Sequence, residues 1–157
     1  MTQTKIALVK RFFLLSFLLL LSIYHVHAQG KDLTIATFNI RYDNPADDPN
    51  TWENRQLAVS QLIRFHEFDI FGIQEGLRHQ VLDLEGFLPD FNFVGVGRDD
   101  GKKKGEYSAI FYNKDKYEVL KTSTFWLAPE TDHPNKGWDA ALPRICTWAK
   151  MEELETG

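Results

Sequence analysis

Three residues of this chain have types and positions that could carry chemistry: Glu75, Asn39 and Arg144. Glu75 closes the apolar run Ile70-Phe71-Gly72-Ile73-Gln74, so a charge stands where a strand should be sinking into a core. An ionised carboxylate taken out of water is costly unless something positive meets it. Glu75 is therefore a solvated strand end, a cap on the following helix, or an oxygen ligand for a hard cation such as Mg²⁺, which uses only one or two protein carboxylates. Position alone does not choose between them. Asn39 lies in "LTIATFNIRY" on the face shared by Leu33, Ile35 and Thr37. A buried amide there must be hydrogen-bonded, either as a structural bridge or as a clamp on substrate. Arg144 follows "WDAALP"; a guanidinium is a bidentate phosphate partner by type, but at such a place it is commonly a surface ion pair.

The other reactive residue types are poorly placed. His25 and His27 fall in the leader, His66 and His79 on helices and His133 in a loop, so the five histidines form no metal cluster. No Ser-His-Asp arrangement, P-loop or CxxC occurs. Cys146, between Ile145 and Thr147, reads as a small core residue rather than a nucleophile.

The elements that must position these residues follow from the hydrophobic periods. Leu33 to Tyr42 alternates and is rich in β-formers, which predicts a first strand. "DNPADDPN" is a loop. Asn50 precedes Glu53 by the spacing of a capping box and should open a helix over 51–68, with Ala58, Val59, Leu62, Ile63 and Phe65 as its buried face. "DIFGIQ" predicts a second strand, and "RHQVLDLEGFL" a second helix. Strands are then predicted at Phe91–Gly97, Glu106–Asn113 and Tyr117–Ala128, the last two joined as a hairpin through "NKDK". "DDGKKKG" reads as an exposed loop with no reason to pack. The order βαβα followed by antiparallel strands implies an α/β fold, a mixed sheet with helices on one face, and enough aromatic residues to call for a second sheet. If strands one and two are neighbours, Asn39 and Glu75 emerge together at the sheet end where α/β folds bind ligands.

Residues 1–28 read as a secretory signal peptide: Lys5, Lys10 and Arg11, a short apolar run from Phe12 to Ile23, then "VHA". The expected product is exported, periplasmic or extracellular, with no membrane span after cleavage. Of 18 Lys and Arg, three lie in the leader, leaving 15 against 22 Asp and Glu, a net charge of −7. That balance disfavours long polynucleotides as partners and suits a small phosphorylated substrate or a metal. Residues 29–157 make one modest domain on length alone. The final "ETG" is a turn without a return strand, so the domain is expected to be truncated on its C-terminal side.

"TFNIRYDN", "TWENR", "FDIFGIQEG", "GVGRDDGKKKGEYSAIFYN", "TFWL" and "KGWDAALPRICTWAK" together resemble the endonuclease/exonuclease/phosphatase family, the deoxyribonuclease-I-like metal-dependent phosphohydrolases, and most of all their secreted bacterial branch. The resemblance runs over nearly all of Leu33 to Lys150. It implies the N-terminal half of a four-layer α/β sandwich, with Asn39 as a catalytic amide, Glu75 as ligand to Mg²⁺ or Mn²⁺, and Arg144 as a candidate substrate contact. It also implies an aspartate-oriented histidine that helps to activate water. The family's His- and Asp-bearing motifs do not occur in this chain and are expected beyond Gly157. The implied activity is phosphomonoester or phosphodiester hydrolysis, with this chain alone inactive. The alternative is a non-catalytic binding or orphan half-domain.

Overall fold

The computed structural model describes residues 32–157; the predicted signal peptide, and the export read from it, lie outside the described residues. The elements are β1 (Ile35–Asn39), α1 (Trp52–Phe65), β2 (Ile70–Gln74), α2 (Arg78–Phe87), β3 (Phe91–Val94), β4 (Ile110–Asn113), β5 (Tyr117–Trp126) and β6 (Ile145–Glu153), with one 3₁₀ turn at Pro45–Asp47. The fold is α/β with a mixed sheet, as the order of elements implied.

β1 and β2 are parallel neighbours, with Ile35 opposite Ile70 and Asn39 opposite Gln74. Parallel strands cannot be joined by a tight turn, and α1 supplies the crossover. β4 then runs antiparallel to both β2 and β3, giving the order β1-β2-β4-β3. Both helices share one face of this sheet. Phe71, Ile73, Ala109 and Phe111 form a single buried cluster with Trp52, Val59 and Ile63 of α1 and with Val81 and Leu84 of α2. Phe71 stacks on Phe111 with ring centroids 4.9 Å apart.

Several expectations need correction. β4 and β5 are not a hairpin: β5 pairs only with β6, in a separate two-stranded sheet. The "NKDK" turn is held instead by the first sheet, where Asn113 N donates to Asp69 O, Lys114 N donates to Asp90 O and Lys116 Nζ bonds Asp69. Asn50 does not cap α1. Thr51 holds the cap position without a side-chain bond, and the Asp43 carboxylate accepts from Trp52 N at 3.3 Å instead. The buried face of α1 is Trp52, Val59, Ser60 and Ile63, while Ala58, Leu62 and Phe65 point outward. Glu106–Ala109 precedes β4 as isolated bridges from Tyr107 to Gly76 and Gly97 rather than as strand.

The Asp99–Gly105 segment is exposed at Asp99 and at Lys102, Lys103 and Lys104, as expected, but it is internally bonded rather than loose. One oxygen of Asp100 accepts from the amides of Lys102, Lys103 and Lys104 at 2.8–2.9 Å. Those bonds, that from Lys104 first, hold the Asp100 carboxyl below its ordinary pKa. Gly97 has no room for a Cβ, which would stand 2.2 Å from Lys104 O. The loop rests on Trp126, whose indole N–H donates to Arg98 O at 2.8 Å.

Candidate active site

Each strand of the parallel pair is followed by a residue in the left-handed region. Glu75 has φ +62° directly after β2, and Arg41 has φ +58° two residues after β1. For side-chain-bearing residues this conformation costs on the order of 1 kcal/mol, and such strain gathers at functional sites. The turns bring Asn39 and Glu75 into contact: Asn39 Nδ2 donates to Glu75 Oε1 at 3.0 Å. Tyr42 N donates to Glu75 Oε2 at 3.4 Å, and Asn39 Oδ1 accepts from Arg41 N at 2.9 Å. The amide thus uses one end on the backbone of its own strand exit and the other on the carboxylate.

Gln80 locks this geometry from below. It is fully buried. Its Oε1 accepts from Asp43 N at 2.9 Å and Leu77 N at 3.0 Å, and its Nε2 donates to Arg41 O at 2.9 Å. One side chain therefore ties the exit of β1 to the start of α2, immediately after Glu75. Arg55 braces the same exit from α1 through the carbonyls of Ile40 and Arg41. The exposed Arg41 pairs with Asp47 at 2.8 Å. The hydrogen bond that Arg41 donates to Asp47 is the main cause raising the Arg41 pKa, and the charge of Glu75 is a lesser one.

Asn39, Glu75 and Arg144 all line one cleft of about 300 Å³, so the structure brings the three sequence candidates together. Asn39 is exposed rather than buried, which differs from the sequence reading, because the face it shares with Ile35 and Thr37 is open. Arg144 stands just before β6, and its backbone carbonyl accepts from Leu127 N at 2.8 Å. Its side chain has no ion pair among the described residues and is exposed, so it is available to an anion. The sequence reading did not single out Arg98, Glu106, Tyr107 and Ser108, which complete much of the lining. Arg98 is 7% exposed and donates to Glu106 Oε2 at 2.7 Å. A lone Arg between two glycine-bearing turns looks like a surface residue, and only the close-packed glycines flanking it could have signalled otherwise.

Glu75 could hold a hard cation. Each of its oxygens accepts one N–H, and a carboxylate offers about four lone-pair sites, so acceptor capacity remains. Among the described residues, no three His, Cys, Asp or Glu side chains are grouped as a ready-made metal cluster. One carboxylate with open positions for water and substrate oxygens agrees with Mg²⁺ rather than with an all-protein cage.

Two solved structures decide the relationship. An endonuclease/exonuclease/phosphatase protein from Bacteroides vulgatus is 54% identical over 81% of this chain, with a TM-score of 0.79. A member of the same family from Bacteroides thetaiotaomicron is 46% identical over 80% of the chain, also with a TM-score of 0.79. The chain belongs to the endonuclease/exonuclease/phosphatase family. A mannosyl-6-phosphatase from Bacteroides thetaiotaomicron is similar to it at 46% identity over 80% of the chain and a TM-score of 0.79. The chain spans about half the length of these relatives, 46–49% of each. No protein-family model matches it, and no curated protein does. No helix among the described residues is long and apolar enough to cross a membrane.

Proposed function

We propose that the full-length gene product is an exported, divalent-metal-dependent hydrolase of phosphate esters. The observation that carries this reading is the Asn39–Glu75 contact, held by two left-handed turns at the carboxyl end of a parallel strand pair and sharing a cleft with Arg144. Membership of the family supports phosphoester hydrolysis, and the similar mannosyl-6-phosphatase supports a small phosphomonoester over a long polynucleotide. The excess of acidic residues points the same way.

Glu75 is the residue that would hold Mg²⁺ or Mn²⁺. When bound, the ion would neutralise charge developing on the phosphoryl oxygens. Asn39 fixes the carboxylate through Oε1, so that its remaining lone pairs keep one direction. Arg144 offers a guanidinium to a phosphate oxygen on the β6 side of the cleft. The leader read in residues 1–28 is the basis for export. The resemblance assigns water activation to His- and Asp-bearing motifs that do not occur among these residues, so the 157-residue chain by itself should show no metal-dependent turnover.

The test is Glu75→Gln in the full-length gene product, assayed against phosphomonoesters across a Mg²⁺ titration. Amide replacement should lower kcat/KM by about a hundredfold or more and weaken the metal response, with the melting curve little changed. Normal turnover with an unchanged Mg²⁺ dependence would remove Glu75 from the site.

A further inference from the structure

Arg98 is a nearly buried cation that leaves most of its donors unused. Nη1 donates to Glu106 Oε2 at 2.7 Å. Nε is buried without a hydrogen-bond partner among the described residues, and Asp99 Oδ1, at 3.8 Å, stands beyond its reach. Nη2 donates to no described residue either, but it is not sealed from solvent as Nε is. A guanidinium carries its N–H donors in a rigid fork, and withdrawing that charge from water is costly while donors stay unpaired. The backbone holds the fork in place. Arg98 N donates to Glu106 O at 3.1 Å, and Arg98 O accepts from Trp126 Nε1 at 2.8 Å.

The under-satisfied cation lies in the wall of the candidate site. Arg98 and Glu106 line the same cleft as Asn39, Glu75 and Arg144. The charged lining is two arginines against two glutamates, a sum of zero. A divalent cation on Glu75 would bring that sum to +2. A phosphomonoester carries about −1.5 to −2 at pH 7, spread over three unesterified oxygens. A phosphodiester has two such oxygens and one negative charge. In a partly dry cleft that difference is felt more strongly than in water.

We propose that Arg98 is a specificity residue, a second guanidinium that joins Arg144 in binding the free oxygens of a phosphomonoester dianion and so disfavours phosphodiesters. The inference rests on the phosphoesterase reading and adds the residue that sets its charge preference. Glu106 aims the fork without filling it, because it takes one donor and leaves Nη2 accessible. A donor held in this way needs no reorganisation when the anion arrives. The competing role is a brace, in which the Arg98–Glu106 pair does no more than close the 98–106 loop. The two roles differ in what happens when the carboxylate alone is neutralised.

The experiment compares 4-nitrophenyl phosphate with bis(4-nitrophenyl) phosphate, which share a leaving group and differ in charge, in the full-length gene product. Arg98→Lys keeps a charge beside Glu106 but loses the fork. It should lower kcat/KM for the monoester about ten- to a hundredfold, the scale of a lost charge-assisted hydrogen bond, and for the diester less than about threefold. Glu106→Gln keeps the guanidinium, so its monoester-to-diester ratio should stay within about threefold of the wild type. Equal losses on both esters in Arg98→Lys, or a ratio that falls as far in Glu106→Gln, would make the pair a brace and overturn the proposal. If the wild type hydrolyses neither ester, the phosphoesterase reading falls, and anion binding decides this one. Inorganic phosphate with Mg²⁺ should then raise the Tm of the wild type more than that of Arg98→Lys. Equal shifts in both, or no shift in the wild type at saturating phosphate, would refute the anion-binding role.

Discussion

Replacing Gln80 by Met tests whether the site is positioned by one buried side chain. Methionine nearly matches glutamine in length and volume, so the change leaves no large cavity and removes only polar partners. Three backbone groups lose a bond: the N–H groups of Asp43 and Leu77 and the carbonyl of Arg41. Each bond contributes about 1 kcal/mol net, and a buried group left unpaired adds to that, so the loss should be about 3–5 kcal/mol. That is a large share of the ~5–15 kcal/mol typical of a domain, and it corresponds to a fall in Tm on the order of 10 °C. Urea melts of the wild type and variant, with equal slopes, give the difference. Gln61→Met is the control: Gln61 is exposed on α1, and its replacement should stay within about 0.5 kcal/mol. Hydrogen exchange at Tyr42 should also quicken, because its amide, bonded to Glu75, follows the carbonyl that Gln80 holds. A loss below about 1 kcal/mol with unchanged exchange would mean that Gln80 does not fix the exit of β1.

Asn39→Ala should reduce turnover of the full-length gene product at least tenfold while costing less than about 1 kcal/mol, because the amide is exposed and serves mainly to orient Glu75; a large drop in Tm with preserved kcat would make it a structural bridge. Gly105→Ala should destabilise by about 1–3 kcal/mol in thermal melts, since φ is +81° and the added Cβ would meet Asp99 Cγ at 2.5 Å; a neutral result would show that the loop relaxes freely. Lys116 has its pKa raised, first by its hydrogen bond to Asp69. Its contribution is therefore complete below the unfolded value near 10.5 and is lost as pH rises through the higher folded value. The stability gap between wild type and Lys116→Met should narrow as pH rises above 10.5, and a gap that stays flat there would count against the pairing.

The parts of the site legible in the sequence were those that depend on strand order. Asn39 and Glu75 each end an apolar, β-rich run, and a βαβ unit can place such runs side by side only in parallel, which brings both residues to one edge. What the period could not supply was the sheet to which a strand belongs. β4 and β5 have a hairpin's spacing, but the short turn between them is captured by Asp69 and Asp90, and β5 leaves for another sheet. The face of α1 was misjudged for a related reason. Trp52, at the first turn, packs with its N–H on Asp83, and this rotates the buried stripe away from Leu62 and Phe65. The Asp99–Gly105 loop is solvated at its lysines, as its charges suggested, but the close approaches of its glycines appear only in coordinates. Arg98 and Glu106 were hidden with it, since a buried arginine paired with a half-buried carboxylate has no periodic signature.

The contact between Asn39 and Glu75 also sets when the site can exist during folding. The two residues are 36 positions apart, and the strands that carry them are parallel. No local hairpin can nucleate their meeting, so the chain must first close a loop containing the whole of α1. Partial openings that detach β1 from β2 must break the site at once, whereas the β5–β6 ladder is a separate sheet and can persist without it. Glu75 in its bonded, strained turn therefore serves as a clock for the nonlocal half of the fold. The appearance of the Tyr42–Glu75 amide bond in a pulse-labelling experiment would mark docking of β1, and it should come no earlier than protection of the β2 amides that pair with β4.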